Sequence, residues 1–175
     1  MRTSEQARQA AMAYLAASEF ATANPVLLDS KTEEFGAGWV FYYQSARYLH
    51  TKEVGDMLLG NAPLFVARSD AKPKHISPHR STAESIEAFV SCGDPNASAN
   101  AQVQLDGWEE GALAVSAVQA IRGHSSLGLG AAKHAVDQCL VGAVVRVNTP
   151  SVPAARELAL ELQRFHFYAK VTYGG

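Results

Sequence analysis

The sequence predicts an α+β protein built from two small two-layer domains. Three observations carry that prediction. The chain has 175 residues, a length that suits one domain or two small ones. Helix-period and strand-period apolar patterns alternate along both halves. Between Gly93 and Gly111 the composition shifts to Gly-Asp-Pro-Asn-Ala-Ser-Ala-Asn-Ala, the best linker candidate in the chain. The expected division is therefore a domain over 1–93, a linker with a short strand over 94–109, and a second domain over 110–175, with 102 as its earliest start.

In the first half, Thr3 or Ser4 can cap a helix whose Ala7, Ala10, Ala11, Tyr14, Leu15 and Ala17 recur at helical spacing, ending before Asn24-Pro25. Val26 to Lys31 and the aromatic, β-branched run Trp39 to Tyr48 read as strands. Alternation along the second puts Trp39, Phe41, Tyr43, Ser45 and Arg47 on one face and Val40, Tyr42, Gln44, Ala46 and Tyr48 on the other. After Gly60-Asn61-Ala-Pro63 comes another short strand, Leu64 to Arg68, then a turn over 69–73 and a weaker strand near His75-Ile76. Ser81 or Thr82 starts a helix with Ser85, Ile86, Phe89 and Val90 turned inward. This is an antiparallel sheet with flanking helices.

In the second half, Val103 to Leu105 is a short strand and Glu109 to Ile121 a helix carrying Leu113, Val115, Ala117, Val118 and Ile121. Leu129 to Leu140 is a second helix, Val144 to Val147 a strand, Pro153 to Phe165 a helix with proline in its first turn, and Ala169 to Tyr173 a closing strand. The order is β-α-α-β-α-β, a second two-layer sandwich.

Composition limits function. Hydrophobic residues make up 47% and charged residues 18% of the chain, so it folds around a core of ordinary size. A formal net charge of −2 without charged tracts makes no electrostatic case for nucleic acid or an anionic membrane as partner. Cys92 and Cys139 stand apart with no CxxC or Cys/His cluster, which fits a reducing compartment and two inert buried thiols. The N-terminus Met-Arg-Thr-Ser-Glu-Gln has no apolar signal region, and no run approaches the roughly 18 apolar residues of a membrane span. A cytoplasmic bacterial protein is expected.

No motif demands a cofactor or a metal. Leu127-Gly-Leu-Gly-Ala-Ala-Lys-His-Ala135 looks like a phosphate cradle, but Lys133 stands where a dinucleotide fingerprint needs its third glycine, and a helix precedes the loop. Its glycines are expected to form a tight corner between two packed helices, with positive φ and close backbone approach. His75 and His79 are separated by Pro78 and lack a nearby carboxylate or cysteine ligand. Ser125 and Ser126 beside His124 lack a nucleophile elbow, and Glu109-Glu110 reads as favourable charge near a helix N-terminus. An enzyme is not expected.

Two stretches resemble known families. Phe35-Gly-Ala-Gly-Trp-Val-Phe-Tyr-Tyr-Gln-Ser-Ala-Arg-Tyr-Leu49, then Gly60-Asn-Ala-Pro-Leu-Phe-Val-Ala-Arg68 and Thr82 to Phe89, resembles the immunity protein 35 family of bacterial polymorphic toxin systems, which includes YrhB-type domains. That family usually runs Phe-Gly-Trp where this chain has Phe35-Gly-Ala-Gly-Trp39, a departure in the turn. The resemblance implies a binding protein that occludes a toxin's active site, for which aromatic and Arg anchors matter more than catalytic groups. Arg47 and Tyr48, near the expected strand end, and Trp39 are the candidate toxin-binding residues. Ala114 to Gly123, followed by Ser126 to Val136, Pro153 to Leu162 and Ala169-Lys-Val171, resembles the C-terminal domain of the bacterial ribosomal stalk protein. That resemblance implies binding of translational factors through Val118, Arg122, Leu129 and Lys133. Ala114, Gln119, Gly130 and Ala131 depart from the family's charged pattern, which removes most of the charge that would steer an acidic factor.

The expected function is an antitoxin that neutralises a cognate toxin by direct protein–protein binding. The rival is a translation-associated adaptor that binds an elongation factor or another translation component.

Overall fold

The computed structural model describes residues 1–69 and 72–174. The chain divides into two compact units, Met1–Asn96 and Ala97–Gly175. Both mix helices with small antiparallel sheets, an α+β architecture.

The first unit opens with α1, Ser4–Ala16, started by a capping box: the Thr3 hydroxyl accepts from the Gln6 N–H and the Gln6 side chain reaches back to the Thr3 N–H. The helix stops at Ala16, short of the expected Asn24 limit, and buries Ala7, Ala11 and Leu15 at i, i+4 and i+8. Two alanines in that row let the helix lie close to the sheet beneath it. The strands are β1, Pro25–Leu27; β2, Glu33–Phe35; β3, Gly38–Phe41; β4, Tyr43–Ser45; β5, Leu64–Ala67; and β6, Lys74–His75. They form a four-stranded sheet in the order β2-β3-β5-β6 and a separate β1-β4 pair. The middle of the turn expected over 69–73, Asp70 and Ala71, lies outside the described residues.

Every residue of β3 and β5 is buried because both faces of the sheet are covered. Trp39, Phe41, Tyr43, Leu64 and Val66 pack with the inner row of α1. Val40, Phe65 and Ala67 pack on the other side with Ile76, Ile86 and Phe89. Two covered faces explain why these strands read as continuous apolar runs. Ile86 and Phe89 belong to α3, Thr82–Cys92, whose N-terminus is capped by Ser81 and whose C-terminus is released by Gly93 at φ 79°. Val90, expected on the inner side, is 69% exposed.

The run from Trp39 to Tyr48 is not one strand. Its predicted alternation holds from Trp39 through Gln44, but the chain leaves the main sheet at Tyr42, and β4 turns to pair with β1. At Ser45 a short helix begins, α2, Ala46–Thr51. The Ser45 hydroxyl accepts from the Tyr48 N–H at 3.0 Å, an N-cap that competes with continuation of the strand.

In the second unit the order is β-α-α-β-α-β: β7, Ala99–Trp108; α4, Ala114–His124; α5, Leu129–Leu140; β8, Val145–Asn148; α6, Val152–Arg164; and β9, Phe167–Tyr173. The sheet order is β8-β7-β9, all antiparallel. Most of the stretch expected to be a linker is therefore the ten-residue central strand β7. Its small and polar residues hid it, because one face is tiled by Gln102, Gln104 and Asp106 and only Val103 and Leu105 point into the core. The first helix begins at Ala114 rather than Glu109, because a turn at Gly111, φ 92°, intervenes. Leu113 and Val115 consequently stay exposed. Leu105, Ile121, Leu158, Leu162 and Phe167 fill the core with a layer of alanines, among them Ala117, Ala132 and Ala155. Cys139 is buried in this core as expected, whereas Cys92 in the first unit is exposed.

Register slips between Leu105 and Gly107. The slip sends Trp108 to the helix side, where its indole N–H donates to the Leu140 carbonyl at 3.1 Å and satisfies an orphan acceptor at the end of α5.

The glycines of the Leu127–Ala135 stretch do not make a tight corner. Gly128 is the N-cap of α5 at φ −71° and Gly130 lies in its first turn. A Cβ at either position would meet nothing within 4 Å. Gly130→Ala is therefore expected to stabilise the second unit by about 0.5–1 kcal/mol, read as a raised denaturant midpoint at unchanged slope.

Candidate functional site

The candidate site of the first unit is a hook over 45–61 held against β4. Gln44 clamps its far end: Oε1 accepts from the Leu58 N–H at 2.6 Å and Nε2 donates to the Leu58 carbonyl at 3.2 Å. Asn61, from the Gly-Asn-Ala-Pro motif, donates to the Tyr43 carbonyl at 2.7 Å. The buried Ser45 hydroxyl caps α2 and donates to the Asp56 carbonyl. With both ends tied, the outer surface of the hook is presented on a fixed base.

Asp56 organises that surface. One carboxylate oxygen accepts from Arg47 Nε at 2.8 Å and the other from the Thr51 hydroxyl at 2.7 Å. The Asp56 side chain is only 15% exposed, whereas that of Arg47 is 79% exposed. Nε is thereby pinned while the terminal nitrogens of the guanidinium project to solvent. Tyr48 is half-buried on α2, with the Lys52 ammonium 5.9 Å from its ring centroid. Val54 and Leu59 in the same hook are 72% and 70% exposed. Arginine and tyrosine are residue types enriched at protein-binding hot spots, and here the arginine is held in one orientation. Beside the hook lies a groove of about 200 Å³ lined by Leu28, Lys31, Tyr42, Gln44, Asn61 and Pro63 among others.

Trp39 is elsewhere. Its side chain is a core residue, 1% exposed, with its indole N–H buried without a hydrogen-bond partner. The Arg68 guanidinium lies 4.3 Å from its ring and is itself held by Glu34 at 2.5 Å. Burial inside the sheet leaves this ring no surface to offer a partner, so of the three expected contact residues the structure presents Arg47 and Tyr48. Asp56 is not among the residues expected from the sequence; it follows Arg47 by nine positions, and only the fold-back of the hook brings the two together.

His75 does not pair with His79. Its ring is packed in an aromatic cluster with Tyr14, Phe20 and Tyr43, and Nε2 lies 3.1 Å from the Tyr43 hydroxyl, whereas His79 is exposed. Burial pushes the Tyr43 hydroxyl up to about 12, with smaller contributions from Tyr14 and Glu19. Burial also lowers the pKa of His75, offset in part by Glu19. The unfolded chain thus takes up the His75 proton before the folded unit does. This contribution to stability is intact above about pH 6.5 and is lost as pH falls through the lowered folded value. His75→Phe is expected to flatten the decline in the first unit's urea midpoint below pH 6.5. An unchanged decline would show that other groups cause it.

In the second unit Val118 is buried in the core at the α4–α5 contact, while Arg122, Leu129 and Lys133 are exposed on those helices. A groove of about 350 Å³ in this unit lies at the junction of α6 and β9 and is lined by Asp106, Glu109, Gln163, His166, Tyr168 and Lys170 among others. Asp106 is paired with Lys170 at 2.6 Å, which lowers its pKa. Among the described residues no group of three or more His, Cys, Asp or Glu side chains could hold a metal ion. No helix among them is long and apolar enough to cross a membrane.

No curated protein and no solved structure matches the chain. A family model does. Residues 5–91 match the family described as immunity protein 35. The match runs from α1 through α3 and includes the hook, the Gly-Asn-Ala-Pro motif and both central strands. The second unit lies outside it. Over these residues the first unit is similar to the immunity protein 35 family.

Proposed function

We propose that this chain is an antitoxin that neutralises a cognate bacterial protein toxin by binding it directly and occluding its active site. The match of residues 5–91 to an immunity protein family carries the reading. The contact surface is the 45–61 hook, with Arg47 and Tyr48 as anchors, and the reading needs no catalytic step from this chain. Oriented anchors on a tied base suit such a role because little side-chain freedom remains to be lost on binding.

The test is growth rescue. Co-expression with the toxin encoded immediately upstream should restore growth, and the two purified proteins should form a complex. Failure both to rescue and to bind that neighbour would overturn the proposal.

A further inference from the structure

We propose that the outer edge of β8 pairs with the same edge of a second copy of this chain, joining two three-stranded sheets into one six-stranded sheet across a twofold axis at Val147. The inference starts from backbone direction. The Thr149 N–H donates to the Ala101 carbonyl at 2.8 Å, and Val103 and Leu105 stand opposite Val147 and Val145. Alternation along an antiparallel strand therefore turns the backbone groups of Val145, Val147 and Thr149 toward β7. Those of Arg146 and Asn148 turn away from it, toward the open edge.

On two other edge strands a side chain reaches an outward backbone carbonyl. Gln163 Nε2 donates to the Ala169 carbonyl of β9 at 2.7 Å. Asn96 Nδ2 donates to the His75 carbonyl of β6 at 2.8 Å. No such bond reaches the outward backbone groups of Arg146 or Asn148 among the described residues. An unprotected edge is a pairing template.

The order Val144-Val-Arg-Val-Asn-Thr-Pro150 is complementary to itself when reversed about Val147. Arg146 then stands opposite Asn148 of the second copy, Val147 opposite Val147, and Val144 opposite Pro150. Like charges are not opposed, and Val144, 60% exposed in the single chain, gains an apolar neighbour. The Arg146 and Asn148 side chains lie on the solvent face, where they bond Gln104 and Gln102, and that is the face on which they would meet across the new strand pair. The two symmetry-related Arg146–Asn148 pairs exchange four backbone hydrogen bonds. A short edge of this kind gives a weak, concentration-dependent dimer.

Sedimentation velocity of the full chain from micromolar to millimolar concentration should show a monomer–dimer equilibrium. Asn148→Glu places a carboxylate opposite the Arg146 guanidinium of the second copy and should tighten the dimer about threefold to tenfold; Asn148→Arg opposes two guanidinium groups and should weaken it by a similar factor. Circular dichroism should be the same for both variants, because position 148 is exposed. On the unmodified chain, the Arg146 and Asn148 amides should exchange more slowly as concentration rises, while the Val147 amide stays protected throughout. A monomer at millimolar concentration, or a dimer indifferent to the sign of the charge at 148, would overturn the proposal.

Discussion

Gly38→Ala is expected to destabilise the first unit severely. A Cβ at this position would run into the Val66 carbonyl oxygen and come within 2.8 Å of the Ala67 Cα, both backbone atoms of the neighbouring central strand. Neither can swing away as a side chain would, so β3 and β5 must separate where both faces of the sheet are packed. The cost is about 3 kcal/mol or more, a large share of the 5–15 kcal/mol that holds a typical domain together. Gly36, two residues earlier in the hairpin turn, has nothing within 4 Å of its Cβ position. Gly36→Ala is the matched control, and the contrast is read in the dispersion of the first unit's amide resonances. Equal stability of the two variants would mean that the strands tolerate the extra methyl group.

Arg47→Ala and Tyr48→Ala should each weaken toxin binding by about 30-fold, the loss expected when a central hot-spot side chain worth roughly 2 kcal/mol is truncated. Both residues lie on the surface of a six-residue helix, so the unit should keep its fold. The loss should appear mainly as faster dissociation. Asp56→Ala separates position from presence: it leaves the guanidinium on the chain but removes the carboxylate that holds it at 2.8 Å. It should fall between the wild type and Arg47→Ala. Lys133→Ala, in the second unit, should leave the affinity unchanged. The same Kd for Arg47→Ala and the wild type would remove the hook from the contact surface.

Where apolar periodicity was dense, sequence reasoning located the elements well. The helix over Leu129 to Leu140 was placed at its observed bounds, and the strands at Leu64 and Val145 were displaced by no more than a residue. It failed where backbone geometry or polar side chains decide the outcome. Trp39 to Tyr48 has the composition of one long strand, but a serine able to cap a helix at 45 and a clamp from Gln44 to Leu58 redirect the chain. Strand β7 is legible only as a short strand over Val103 to Leu105 within a linker, because most of its residues are small or polar and its pairing partners lie forty or more residues downstream. The extra Gly-Ala in Phe35-Gly-Ala-Gly-Trp39 has a simple account: Phe35 pairs with Gly38, so Gly36 and Ala37 are the two-residue loop of the β2–β3 hairpin. At the proposed contact surface, the helical setting of Arg47 and Tyr48 and the carboxylate that holds Arg47 are not legible in the sequence.

The packing of Trp39 has an optical consequence. The chain has two tryptophans, and each unit holds one. Trp39 is sealed inside the sheet beneath Arg68, whereas Trp108 is 44% exposed beside the end of α5. A sealed indole emits to the blue of a wetted one, so the two units have separable fluorescence. Red-shifting of the blue component during denaturation tracks the unit that carries the hook. A partner seated on the hook would leave that component nearly unmoved, because Trp39 has almost no water left to lose.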